Sequence, residues 1–317
     1  MIASIPGQTM GVGVYTDFLI QNSHLNRIQI SMAYMTGTIL SSLLLPLAGR
    51  YYDLVGGRIM IVFAGIGMGI SLLLFAESLT IIHLVHSLLP NISILTSELL
   101  VITVIFLLLR QFGQGIMAMV SRNTLAKWFE RRRGMVSGIS GIFVAFSFSG
   151  APLFMNIIIE DYGYSGSMIL MAIIFGFGMA FIGWLFFRDK PEDCGLLMDG
   201  DKITSLDTTN LFPEPETTLK EALRTYNFWI FCLGLCSAAV IVTGLTFHIS
   251  SIGALAGLSR MEAYGLFLPM SVISVISHFF AGWASDRMPL KYLLMILLAG
   301  LAVGSLGILN LESFWFR

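Results

Sequence analysis

Charge is what this chain has least of. Only 12% of its 317 residues are Asp, Glu, Lys or Arg, against roughly a quarter in an ordinary soluble domain, and a soluble globule is thereby excluded. The two signs nearly cancel, 18 Lys and Arg against 19 Asp and Glu, so no basic excess points to nucleic acid as a partner. Cysteine is nearly absent. Cys194, Cys232 and Cys236 are the whole set, the last two one turn apart inside an apolar run. No clustered His or Cys completes a metal site, and the three read as packing residues. The glycines Gly65, Gly67, Gly69, Gly176 and Gly178 have no strand beside them to make a phosphate cradle; surfaces for close helix packing are expected instead. No cofactor is implied. The N-terminus also lacks a basic segment, apolar core and cleavage site in series, so no removable signal peptide is expected.

What the chain has in abundance is apolar sequence, 56% of all residues, gathered into long uncharged runs. A helix needs about 20 mainly apolar residues to cross ~30 Å of hydrocarbon. Nine runs qualify as candidates: 1–16, 28–49, 59–76, 99–121 (interrupted by Arg110), 134–159, 162–187, 225–259, 263–285 and 292–311. They are continuously apolar, without the alternation of a barrel strand, so the expected fold class is all-α, a polytopic membrane protein embedded in a lipid bilayer. The first run is short and broken by Pro6-Gly7, as if half a helix should precede Met1. The stretch Ile81–Pro90, with His83 and His86, is too short to span and reads as an interfacial piece. Asn91-Ile92-Ser93 has the form of a glycosylation acceptor and reads as chance.

Cations in short loops are retained in the cytoplasm. The loops after the second, fourth, sixth and eighth spans hold fourteen: Arg50, Arg58, Arg122, Lys127, Arg131, Arg132, Arg133, Arg188, Lys190, Lys202, Lys220, Arg224, Arg287 and Lys291. The opposite side holds three, Arg27, Arg260 and Arg317. Even-numbered loops are therefore expected to be cytoplasmic, in a plasma (inner) membrane.

The chain also repeats itself. Leu25-x-Arg27 returns as Leu258-x-Arg260, and Gly49-x-x-x-Asp53 as Gly282-x-x-x-Asp286, at one common offset of 233 residues, with Tyr34 and Tyr264 following the first motif in each copy. Spans one to three thus correspond to spans seven to nine. Between the copies the polar stretch with Pro191, Asp193, Gly195, Asp199, Pro213 and Pro215 has the composition of a linker. The expected domains are an N-terminal six-helix bundle over 1–188 with an incomplete first helix, a cytoplasmic linker over 189–224, and a partial C-terminal bundle over 225–317.

Gly49-Arg-Tyr-Tyr-Asp53-Leu-Val-Gly56-Gly57-Arg58 resembles the loop signature between helices two and three of the major facilitator superfamily, and Gly282-Trp-Ala-Ser-Asp286-Arg287 resembles its copy between helices eight and nine. Ser4-Ile-Pro6-Gly7-Gln8-Thr9, Gly113-Gln114-Gly115, Trp128-Phe129-Glu130-Arg131-Arg132-Arg133-Gly134 and Lys190-Pro191-Glu192-Asp193-Cys194-Gly195 are similar to the branch containing monocarboxylate transporters and oxalate–formate antiporters. The resemblance implies major facilitator-type helical bundles, about nine of twelve transmembrane helices present, the chain incomplete at both ends, and a substrate path at the interface of two halves. It also implies that part of the surface clasped by the Asp53 loop belongs to helix eleven. Two departures stand out. The family's helix-four arginine is usually followed by glycine four residues on, whereas Arg110 is followed by Gly113 and Gly115, and Gly138, Gly141, Gly150 and Pro152 match the antiporter pattern of helix five only in part.

Arg110 is the strongest single candidate, since a guanidinium near mid-bilayer costs at least ~2.5–3.5 kcal/mol unless it faces a cavity or finds partners. Two readings stand. It holds a substrate carboxylate in bidentate fashion, or it is interhelical glue tied to carbonyls, Gln8, Gln111 or Gln114. Gln8 is expected at a similar depth, beside the backbone groups freed by Pro6-Gly7, so Arg110, Gln8, Gln114 and His248 form the expected substrate set. Asp17 and His248 are the expected proton-coupling groups, against the plainer readings of a solvated helix-end carboxylate and a hydrogen-bonded core histidine. His278, one turn above the Gly282 loop, is expected to be structural. Gly49, Arg50, Asp53, Gly57, Arg58, Gly282, Asp286 and Arg287 are the expected conformational gate, with Asp53 pairing to Arg50 and Arg58. Arg131-Arg132-Arg133 reads as a topology signal.

No enzyme chemistry is evident and no nucleotide motif would power transport. The expected function is secondary transport of a small organic anion, monocarboxylate-like, by alternating access with protons or a counter-substrate. The alternatives are a non-transporting fragment of such a protein, or a sensor that kept the scaffold.

Overall fold

The computed structural model describes residues 2–200, 218–258 and 265–309. Lys202, Pro213, Pro215, Arg260, Tyr264 and Arg317 lie outside the described residues, as does the side chain of Asp17. Among the described residues the chain is helical almost throughout, and every apolar run coincides with helix. A 3-10 turn, Ile2–Gly7, leads into α1 (Thr9–Asn22). Then come α2 (Arg27–Ala76), α3 (Ser78–Leu88), and α4 (Ile94–Leu109) running through a π-helical segment (Arg110–Met117) into α5 (Ala118–Trp128). Next α6 (Arg133–Met171) passes through a second π segment (Ala172–Phe177) into α7 (Gly178–Phe186). After the short α8 (Leu219–Ala222) follow α9 (Tyr226–Leu255), α10 (Phe267–Ser285) and α11 (Leu290–Leu309).

Among the described residues, five stretches are long and apolar enough to cross a membrane: Arg27–Ala76, Ile94–Trp128, Ile157–Phe186, Tyr226–Thr246 and Leu290–Leu309. Ser78–Leu88, Arg133–Ser147 and Val272–Ser285 are shorter apolar helices. The first stretch contains two runs, because α2 reverses at Gly56, whose φ of 83° only glycine adopts without strain. Gly163, at φ 70°, does the same between the two runs of α6. Leu43, Phe143, Trp184 and Val303 point outward, fully half or more exposed. Their proper surroundings are acyl chains, and the helical backbone supplies its own hydrogen bonds there. This is a polytopic membrane helical bundle.

Contacts divide the chain into two units, Met1–Glu130 with Phe143–Cys194, and Arg131–Ile142 with Gly195–Arg317. In the first, small residues let backbones meet. Gly69 on α2 abuts Gly176 of the second π segment, a Cβ on Gly176 falling 2.6 Å from the Gly69 nitrogen, and Gly65 similarly takes Ala180. A Cβ on Gly37 would lie 2.8 Å from the Leu107 nitrogen, so α2 and α4 are in backbone contact there. One end is closed by an aromatic cluster. Tyr15, Phe75 and Tyr164 meet edge to face at 5.7–6.0 Å and Phe18 stacks on Tyr164 at 3.7 Å, while the Tyr164 hydroxyl donates to the Phe75 carbonyl at 3.2 Å. In the second unit, Gly138 and Gly141 at the start of α6 receive His278 of α10, whose Nδ1 donates to the Ser274 carbonyl at 2.7 Å. Gly234 on α9 packs against Leu294 of α11.

Candidate functional site

Arg110 stands at the middle of the Ile94–Trp128 stretch, where α4 gives way to the π turn. Gly113 and Gly115 ease that wider turn, and Gly113 lies against Gly7, a Cβ on which would meet the Leu109 carbonyl. The Pro6-Gly7 corner is thus pressed onto the helix carrying Arg110. Its Nη1 donates to the Gly7 carbonyl at 3.5 Å and to Oε1 of Gln114. The guanidinium lies over the Tyr34 ring, 5.3 Å from its centroid, and the Tyr34 hydroxyl is held by Thr9 Oγ1 at 2.9 Å. All these partners are neutral, and Nε and Nη2 have no partner among the described residues.

Two nearby glutamines have partners of their own. Gln8 sits next to Gly7, and its Nε2 donates to Ser4 Oγ at 3.1 Å rather than binding Arg110. Gln111 is buried and accepts from Ser41 Oγ at 2.9 Å, a structural tie between the first π segment and α2. His248 belongs to the second unit, on α9, with an exposed side chain. Tyr34 and Thr9 were missed as site residues; the only signal was that each is a polar-tipped residue inside an apolar run.

The two loop signatures behave differently. Asp286 caps the first turn of α6, its Oδ1 and Oδ2 accepting from the Gly134 and Met135 N–H groups at 3.0 and 3.2 Å, and Gly282 lets the two backbones close to within glycine-only distance. Arg287 stacks on Trp283 at 4.5 Å. In the first unit Asp53 and Arg50 are exposed, and Asp53 forms no ion pair with Arg50 or Arg58. Arg58 instead donates from Nε and Nη2 to the Trp184 carbonyl at 3.0 and 2.6 Å and covers that ring. The carboxylate meeting this loop is Asp189, which accepts from the Arg58 N–H at 2.7 Å and crowds Gly56 and Gly57. Gly49 has open space around its Cα. The backbone N–H groups of Arg131 and Arg132 are also capped, by Asp199 at 2.9 and 3.2 Å. No group of His, Cys, Asp and Glu among the described residues is placed to hold a metal.

The sequence model of the Major Facilitator Superfamily matches residues 2–316, nearly the whole chain. The chain belongs to the Major Facilitator Superfamily. Comparison with curated proteins finds no match. Members of the superfamily are secondary transporters and not enzymes, so this protein is an integral membrane transporter that sits in a lipid bilayer and binds a small substrate. For such a transporter a polar cluster halfway along a span is the natural place to look for substrate contacts.

Proposed function

We propose that this superfamily member carries a small organic anion, monocarboxylate-like, by alternating access, coupled to protons or to exchange of a counter-substrate. The observation that carries the reading is the Arg110 guanidinium, set mid-span among neutral partners with Nε and Nη2 unengaged. A carboxylate would take those two donors side by side and neutralise the charge. Gln114 and the Gly7 corner hold the fork in place, and Gln8 and His248 complete the proposed substrate set, with His248 and Asp17 as proton sites. The sequence likeness to the monocarboxylate transporter and oxalate–formate antiporter branch points the same way.

The proposed gate comprises Gly49, Arg50, Asp53, Gly57 and Arg58 with Gly282, Asp286 and Arg287. The proposed domains remain 1–188, 189–224 and 225–317, with the fourteen-cation side in the cytoplasm and the chain in the plasma (inner) membrane. Uptake of a panel of small carboxylates into proteoliposomes tests the anion. Arg110→Gln should lower uptake at least about a hundredfold, the loss of a charge-assisted bidentate contact worth about 3 kcal/mol, with membrane insertion unchanged. Arg110→Lys, which keeps the charge and loses the fork, should recover only part. Full uptake by Arg110→Gln removes the anion reading.

A further inference from the structure

A second cationic feature belongs to the second unit, where the first turn of α6 meets the end of α10. A cavity of about 410 Å³ opens there, lined by Arg131, Arg132 and Arg287, by the single carboxylate Asp286, and by the rings of Phe279 and Trp283. Its volume is that of a small-molecule site. Three guanidinium groups stand against Asp286 and against Asp199, which accepts from the Arg131 and Arg132 N–H groups at 2.9 and 3.2 Å, and a formal excess of one positive charge is left. Asp286 is committed to the Gly134 and Met135 N–H groups, so it orders the turn rather than quenching the arginines. Arg287 is held in place by its stack on Trp283 and by Nη1 donating to the Trp283 carbonyl at 3.1 Å. Phe279 and Trp283 are about half exposed, an apolar wall beside the cationic floor.

These residues stand at the ends of apolar helices, Arg133–Ser147 and Val272–Ser285. In a membrane protein that is the level of the lipid headgroups, where Trp and Arg are both at home. We propose that this cavity binds the phosphodiester headgroup of an anionic phospholipid, the arginines taking the phosphate oxygens and the aromatic wall lying along the glycerol and upper acyl chain. A soluble phosphate would satisfy the arginines equally and leave the rings wet; the exposed aromatic wall continuous with the apolar helix surface favours the lipid. Basic pockets between helices are recognised sites for such headgroups.

The test uses the full chain in phosphatidylcholine bilayers containing increasing fractions of brominated phosphatidylglycerol or brominated phosphatidylcholine. The readout is quenching of the Trp283 fluorescence, taken as wild type minus Trp283→Phe. Half-maximal quenching should need an about thirty- to hundredfold lower mole fraction of the anionic lipid, as expected for two to three basic contacts. The double variant Arg132→Gln/Arg287→Gln should lose this preference, and Arg132→Lys/Arg287→Lys, a control for folding, should keep most of it. Equal quenching by the two lipids in the wild type, or a preference that survives the double glutamine variant, overturns the proposal. Relief of the quenching by millimolar inorganic phosphate also overturns it, in favour of a soluble ligand.

Discussion

At the scale of single residues, several of the few charges have a specific neighbour far away in the sequence. Glu98 is the example that reading the runs passed over. It is 4% exposed, one turn into α4, and its carboxylate accepts from the His24 backbone N–H at 3.1–3.2 Å and pairs with His24 Nδ1 at 2.8 Å. It therefore ties the α1–α2 connection to α4. Glu98→Ala should lower the stability of the purified protein by about 1–3 kcal/mol, since it strips the acceptor from these donors, read as a drop in thermal melting temperature in detergent. His24→Ala should cost less, because that ring is 71% exposed and the backbone N–H contacts survive. A larger loss for His24→Ala would show the carboxylate not to be the anchor. Glu98 was visible only as the acid bounding an apolar run; its partner lies 74 residues away, a pairing that no local pattern encodes. Arg110 stood out in the sequence for the opposite reason, because a lone cation in an apolar run is costly wherever it ends up. Which of Gln8, Gln111 and Gln114 would meet it was left open, and the π turn decided for Gln114.

At the scale of elements, glycine sets where helices touch and where they turn. The expected packing role of Gly65, Gly69 and Gly176 is met by backbone-to-backbone contacts. Gly176→Val should therefore force α2 from the second π segment and cost about 1–3 kcal/mol or more through overpacking, seen as lower yield of monodisperse protein and a lower melting temperature. Gly13→Ala, on a helix surface with nothing within 4 Å, should be neutral to slightly stabilising. Equal loss in both variants would argue against the close-packing account. The helices themselves were legible because hydrocarbon accepts only long uncharged stretches with internally satisfied backbones. The reversal at Gly56 was legible in the Gly56-Gly57 pair. The π turn at Arg110–Met117 was not. Its one trace was the unusual Gly113 and Gly115 spacing after Arg110, which a widened turn accommodates by shifting the register of the residues beyond it.

At the scale of the molecule, the cation partition predicts one orientation. With Cys194, Cys232 and Cys236 replaced and Arg131→Cys introduced, a membrane-impermeant maleimide should leave intact cells unlabelled and react fully after permeabilisation. Labelling of intact cells would reverse the orientation, and with it the side assigned to the gate. The two copies of the loop signature bear on the same scale. Spacing alone suggested that Asp53 and Asp286 do the same job, yet Asp286 accepts from the first turn of α6, 152 residues away, whereas the first loop is itself the donor, its Arg58 N–H going to Asp189 131 residues on. Equivalent positions in a repeat share a backbone path, but a capping carboxylate also requires the donor N–H groups of a helix N-terminus beside it, and that depends on which helices pack nearby.

The amino-acid sequence by itself determined that the chain is a helical protein of the bilayer and which superfamily it joins. Both follow from properties read along the chain, namely transfer free energy per segment and the motifs a segment carries. Only the tertiary structure decided that Arg110 rests among Gly7, Tyr34 and Gln114, that Glu98 grips His24, and that Asp189, Asp199 and Asp286 cap distant turns. Those outcomes depend on short-range hydrogen bonds between residues far apart in sequence, and such bonds come into being only when the helices have packed.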